Sequence, residues 1–220
     1  MNKARFLEEG AIDTFTTRYS HDLASFIKSQ LPTPPENLHT LDAAQLRRLN
    51  DDLTERTKPS TLAWLESLAL SFDEEEVWLD CDPVLRFFIP WNLYKNHAKT
   101  LHKPGYLTLQ DPHYDTWFGH AKSGINAWLA VGPVREGNSL CLFTDMWGKD
   151  QIKNLKDHPP FGKPYVPVLS PGEYVVFGGE HLHSSELNIT NETRVVVTGR
   201  WSFEQPEFTT GGNSSWKRLK

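Results

Sequence analysis

Two short segments of this chain hold side chains that together could bind a metal ion. The first is His113-Tyr114-Asp115; the second, Gly178-Gly179-Glu180-His181-Leu182-His183, follows the apolar run Tyr174-Val175-Val176-Phe177. Alternate side chains of a strand share a face, so His113 and Asp115 are expected to project together as a chelating pair. A third ligand must come from elsewhere in the fold, and His181 and His183 both offer an imidazole. Two imidazoles and one carboxylate on one face leave adjacent coordination positions open, which suits ferrous iron and a chelating small molecule. Zinc would favour a closed tetrahedron. A His-X-Asp triplet alone recurs by chance. What singles this one out is the order Pro171-Gly172, apolar strand, Gly178-Gly179, histidine segment, and then Arg194 on the next expected strand.

Such ligands need rigid elements. From Val77 onward the sequence breaks into short runs rich in β-branched and aromatic residues, separated by Gly, Pro, Asn and Asp, and these read as strands at 84–89, 105–109, 125–131, 139–143, 174–177 and 194–201. No helical periodicity separates them, so an antiparallel sandwich or jelly roll is expected in place of βαβ units. Ahead of them, apolar spacing predicts helices over 20–28 and 41–53, divided by Pro32, Pro34 and Pro35, and a third over 60–70 capped by Ser60 or Thr61. The expected layout is one catalytic domain over 1–208, helical to about residue 75 with a β core over 77–203, and a flexible tail over 209–220. The acidic run Asp73-Glu74-Glu75-Glu76, with Ser71 and Phe72 before it, reads as a solvated turn.

Composition narrows the functional classes. The net charge is -5 and the pI is about 6.0, with Lys and Arg scattered, which leaves no footprint for a phosphate backbone. No apolar stretch is long enough to span a membrane and no secretory h-region opens the chain, so the expectation is a cytoplasmic protein acting on a small molecule, without nucleic acid or membrane partners. Cys81 and Cys141 lack the spacing of a disulfide framework or a zinc finger and are expected to be ordinary buried thiols.

The segments His113-Tyr114-Asp115-Thr116-Trp117, Pro171 to Phe177 and His183 to Arg194 resemble the phytanoyl-CoA dioxygenase-like family of iron(II)/2-oxoglutarate oxygenases. In that family the distal His is followed by Ser at +2, Asn at +5, Ser or Thr at +7 and Arg at +11; counted from His183 these are Ser185, Asn188, Thr190 and Arg194. The likeness runs over about 106–201, and more faintly over Arg5 to Gly10, which looks like the family's first helix and turn. It selects His183 over His181, and leaves His181 beside the iron or on the surface.

The resemblance implies a double-stranded β-helix of cupin type, with Fe(II) on His113, Asp115 and His183. It further implies 2-oxoglutarate anchored by Arg194, helped by Ser185, with Trp128 at the cosubstrate; Asn126 shares the face parity of Trp128 and is expected to donate there, and Tyr114 and Trp117 are expected to wall the substrate pocket. The implied reaction consumes O2 and 2-oxoglutarate, releases succinate and CO2, and oxidises a substrate C–H bond, most simply by hydroxylation. Because Asp115 is present, halogenation is disfavoured. His97, Lys99, His102, Lys103 and the aromatics ahead of the ligand strand suggest a small polar metabolite, in a biosynthetic role. The rival expectations are a cupin-like metal-dependent isomerase or epimerase and a non-catalytic 2-oxoglutarate-binding domain.

Overall fold

The computed structural model describes residues 1–95, 110–149, 161–206 and 215–220. The expected strand at 105–109, and His97, Lys99, His102 and Lys103, lie outside them. Two antiparallel sheets face each other, and helices cover the outer side of the larger one.

The chain enters through α1 (Lys3–Leu7), β1 (Ile12–Thr16) and α2 (Arg18–Ser29), the last capped by Thr17, whose hydroxyl accepts from the Ser20 N–H at 3.0 Å. After a 3-10 turn over Pro35–Thr40 comes α3 (Ala43–Leu70), a single helix of 28 residues in place of the two expected over 41–53 and 60–70. Pro59, which reads as a helix boundary, lies inside it. The reason is a buried stripe, Leu46, Asn50, Leu53, Thr57, Thr61, Trp64, Leu65 and Leu68, that runs unbroken past the proline. Three polar members disguise it in the sequence, and two of these donate to backbone carbonyls: the Asn50 amide to that of Leu85 at 2.9 Å and the Thr57 hydroxyl to that of Leu53, one turn earlier, at 2.7 Å. Packing of both halves on the sheet outweighs the one backbone hydrogen bond that proline forfeits.

The larger sheet has the order β1-β6-β4-β8-β2-β9, with β2 (Trp78–Asp80), β4 (Gly124–Ala130), β6 (Glu173–Gly178), β8 (Arg194–Ser202) and β9 (Trp216–Arg218). The seventh strand, β3 (Val84–Phe88), pairs with the first half of β8 along the edge that β2 occupies further on. The smaller sheet pairs β5 (Leu140–Leu142) with β7 (His183–Ser185). Five of the six expected strands are therefore present with ends moved by a residue or two, whereas β1, β2, β7 and β9 were not expected. β9 also corrects the reading of residues 215–220 as a flexible tail, since Trp78, Leu79 and Asp80 pair with it.

Strand alternation divides the large sheet into two faces. Ile125, Ala127, Leu129, Tyr174, Val176, Val195, Val197, Trp201, Leu85 and Phe87 pack with Leu23, Ile27, Leu53, Trp64 and Leu65 of the helices. Each such fully buried aliphatic or aromatic side chain contributes about 1.5–3 kcal/mol before the entropy of ordering it. Gly199 belongs to this contact: a Cβ there would stand 2.1 Å from the Leu65 Cδ1. Phe72, at the start of the run expected to be a solvated turn, is fully buried against Phe6, Trp201 and Phe203. The opposite parity supplies Trp128, Ala130, Val175, Phe177 and Val196, which meet Leu140 and Leu142 of the small sheet. The same parity carries Arg86, Asn126, Arg194, Thr198 and Arg200 into the space between the sheets.

Cys81 and Cys141 are free and only half-buried, not buried as expected, because Cys81 ends the short β2 edge and Cys141 lies on the outer parity of β5. No described helix is long and apolar enough to cross a membrane.

Candidate functional site

His113 and Asp115 do share a site, but not as members of one strand. His113 makes an isolated antiparallel bridge with His183, through reciprocal backbone hydrogen bonds of 2.9 and 3.0 Å. Asp115 opens a 3-10 turn, Asp115–Phe118, which Gly119 closes at φ 83°, a conformation costly for residues with a Cβ. The bridge thus delivers both imidazoles, and the turn brings the carboxylate back between them. Gly179 leaves room for it: a Cβ there would lie 3.5 Å from Asp115 Oδ2 and 3.3 Å from the Gly124 carbonyl.

The Nε2 atoms of His113 and His183 lie 3.9 and 3.8 Å from Asp115 Oδ1, and one donor atom from each of the three residues falls within 4.8 Å of the others. The Nδ1 atoms are committed, His113 to the Asp111 carbonyl at 2.6 Å and His183 to the His181 carbonyl at 2.9 Å. A carbonyl only accepts, so each Nδ1 carries the proton and each Nε2 offers a lone pair toward the carboxylate. Asp115 Oδ2 accepts from the Asn126 amide at 2.6 Å, which leaves Oδ1 facing the imidazoles. Two lone pairs and a negative oxygen converge on one point, and a cation is what makes that convergence favourable. Donors bound at about 2.1 Å to one ion stand roughly 3–4 Å apart, so this set fits a first-row divalent metal after small adjustments.

Electrostatics hold the donors in their metal-binding forms. Burial, with help from His113 and Arg200, pushes His183 down to about 4, and burial likewise lowers His113, so both rings are neutral near pH 7. Burial by itself would raise Asp115, but His183, Arg200, His113 and His120 outweigh it and hold the carboxyl well below the usual range.

Beside the three donors lies a pocket partly open to solvent, walled by residues that include Arg86, Gln110, Asn126, Trp128, Phe177, Ser185, Arg194, Thr198 and Arg200. Arg194 is 1% exposed, and its Nη1 donates to the carbonyls of Asn138 and Ser139. Its guanidinium carbon lies 3.9 Å from the Phe88 ring centroid and 5.2 Å from that of Trp128, while its Nε is buried with no hydrogen-bond partner among the described residues. Burial, and then Arg86, lowers its pKa to about 9, which still leaves it charged near neutrality.

The structure therefore brings together His113, Asp115, His183, Asn126, Trp128, Ser185 and Arg194 around one pocket. Tyr114 and Trp117 do not wall it. Tyr114 points the other way, into a cluster with Phe143, Met146 and Leu182, and half-exposed Trp117 packs edge-on against it. Asn126, expected at a cosubstrate, donates to Asp115. His181 lies outside the donor group and is fully buried: Nε2 bonds the Gly10 carbonyl at 3.1 Å and the ring lies 4.4 Å from that of Trp147. Asn188 pins the β7–β8 loop by donating to the carbonyls of Phe88 and Glu192 at 2.7 and 2.9 Å. Arg86, Arg200, Thr198 and Gln110 were missed. Parity could have found two of them, since Thr198 and Arg200 lie an even number of residues beyond Arg194 on the same strand.

Among solved structures, the chain is similar to the non-heme monooxygenase ThoJ in its nickel complex, at TM-score 0.54 and 12% identity over 99% of this chain and 84% of that one. It is also similar to AviO1 from Streptomyces viridochromogenes Tue57, at TM-score 0.52 and 12% identity over 91% of each chain. The epimerase SnoN, in complex with Fe3+, alpha ketoglutarate and nogalamycin RO, matches at TM-score 0.47 and 14% identity over 90% of this chain and 81% of that one. At such identities, what the chain shares with ThoJ and AviO1 is the fold. No protein-family profile matches the chain, and no curated protein matches it by sequence.

Proposed function

We propose that this chain is a single-domain iron(II)- and 2-oxoglutarate-dependent oxygenase on a double-stranded β-helix of the phytanoyl-CoA dioxygenase-like kind, hydroxylating a small metabolite. The observation that carries this reading is the convergence of two Nε2 lone pairs and one carboxylate oxygen at the wall of a pocket that also contains a buried arginine with an unpartnered Nε–H. Bound iron, 2-oxoglutarate and dioxygen would together supply the oxidising power for C–H oxidation, with succinate and CO2 released.

The protein's own residues hold and orient. His113, His183 and Asp115 bind the ion, and the Asp111 and His181 carbonyls together with the Asn126 amide fix the directions of those donors. Arg194 receives the far carboxylate of 2-oxoglutarate, since a guanidinium stays charged when buried and pairs with a carboxylate through more than one N–H. Phe88 and Trp128 flank its guanidinium, and the Ser185 hydroxyl adds a donor from the pocket wall.

The test is anaerobic addition of Fe(II) and 2-oxoglutarate, followed by oxygen. Expected are a visible charge-transfer band before oxygen and stoichiometric succinate after it, with zinc supporting neither. Oxygen-independent turnover, or equal turnover with zinc, would replace this reading with a cupin-like isomerase. Arg194→Gln is expected to raise the 2-oxoglutarate Kd by at least about tenfold, as loss of a buried charge-assisted contact does, while leaving metal affinity unchanged.

A further inference from the structure

Resting on that reading, the pocket is lined by more guanidiniums than the anchoring of 2-oxoglutarate requires. Three line it, Arg86, Arg194 and Arg200, with Asp115 in the wall and Asp80 behind Arg200. A guanidinium at the wall of a low-dielectric pocket attracts an anion.

The three arginines lie at different ends. The inward positions of β8 run Arg194, Val196, Thr198, Arg200, so at about 3.4 Å per residue Arg200 lies roughly 20 Å of strand from Arg194. Arg86 belongs toward the Arg194 end: it pairs in register with Val196, its Nε donates to Thr198 Oγ1 at 3.1 Å, and its charge helps lower the Arg194 pKa. Arg200 belongs to the metal end. It lies opposite Asn126 across the β4–β8 ladder, and Asn126 is the residue bonded to Asp115. A dicarboxylate chelated at the metal and reaching toward Arg194 extends away from Arg200.

The neighbours of Arg200 orient it without neutralising it fully. Its Nη1 donates to His120 Nε2, and burial, followed by Arg200 itself, pushes His120 down to about 4, so that ring is a neutral acceptor. Its Nε is 3.6 Å from Asp80 Oδ2, looser than the roughly 2.7–2.9 Å of a charge-assisted hydrogen bond. Oδ1 of Asp80 is turned to the Asp82 N–H at 3.0 Å.

We propose that the substrate oxidised at this centre is a carboxylate-bearing metabolite and that Arg200, beside the metal and on the opposite side from Arg194, receives its negative group. Arg200 would then set which C–H bond is presented, by fixing the substrate's charged end at a constant distance from the ion.

The test needs no knowledge of the natural substrate. Protein loaded with cobalt(II) and saturated with 2-oxoglutarate is titrated with benzoate carrying 13C in the carboxyl group, and relaxation of that carbon by the paramagnetic ion is measured against a zinc-loaded reference. Expected are strong relaxation of benzoate, little for benzamide, and for Arg200→Gln a loss of benzoate affinity of about tenfold or more, with Arg200→Lys retaining part of it. The 2-oxoglutarate Kd, measured by calorimetry in the same samples, stays within about twofold of wild type for Arg200→Gln. Absence of benzoate relaxation in the wild type, equal relaxation of benzamide, or an unchanged Arg200→Gln would overturn the proposal. If Arg200→Gln does not fold, Arg200→Lys decides in its place: a benzoate affinity equal to wild type would overturn the proposal. Failure of cobalt and 2-oxoglutarate to bind together would instead overturn the oxygenase reading itself.

Discussion

At the scale of single residues, the site depends on protons that are held in place as much as on the donors. Both metal-facing imidazoles are tautomerically fixed by a carbonyl two residues earlier in the chain, Asp111 for His113 and His181 for His183. Asp115 is fixed differently, by the Asn126 amide on a separate strand. Asn126→Leu is therefore expected to lower divalent-metal affinity by about 10–100-fold while leaving all three donors in place, measured by competition with a fluorescent chelator. Asp115→Ala is expected to abolish tight binding altogether in the same assay, because two neutral imidazoles remain with no negative charge to complement the ion.

At the scale of elements, β8 is the strand on which the two layers depend. One of its faces closes the helical core and the other carries Arg194, Thr198 and Arg200 to the pocket. Gly199 is where α3 approaches it most closely, so Gly199→Val must push Leu65 and the helix away from the sheet. The expected cost is about 1–3 kcal/mol in urea unfolding, with a shifted midpoint and an unchanged slope. On α3, Asn50→Leu probes the disguised stripe: it strands the Leu85 carbonyl, which pairs with the amide at 2.9 Å, and is expected to destabilise by about 1–3 kcal/mol although it adds apolar surface.

At the scale of the molecule, burial of neutral histidines makes the fold sensitive to acid. His181 and His183 both titrate near 4 in the folded chain, burial being the first cause in each case, against about 6.5 when unfolded. As pH falls below about 6.5 the unfolded chain takes up these protons first, so the histidine contribution to stability decreases from there down to about 4 and levels off below it, where protonation of Asp115 removes more. For His181 alone the span corresponds to roughly 3 kcal/mol. Urea midpoints of the metal-free protein are expected to fall steadily between pH 6.5 and 4.5. His181→Phe, which keeps a ring against Trp147, is expected to make that slope shallower. A saturating divalent ion raises the midpoint throughout but steepens its fall with acid, because it holds His113 and His183 neutral in the folded chain alone.

What the sequence determined by itself was whatever depends on local period and fixed offset. Runs rich in β-branched and aromatic residues marked β3, β4, β5, β6 and β8, and the family resemblance, through its offset from His183 to Arg194, singled out two residues that line one pocket. The tertiary structure alone decided what depends on pairing across the chain. The His113–His183 bridge and the turn at Asp115 replaced the single strand expected there, Tyr114 turned into a separate cluster, and α3 ran through Pro59 because the sheet rewards a continuous stripe. The arginine excess is of the same kind: Arg86 and Arg200 stand 114 positions apart in sequence, and only the register of β3 and β4 on β8 puts both guanidiniums in one pocket.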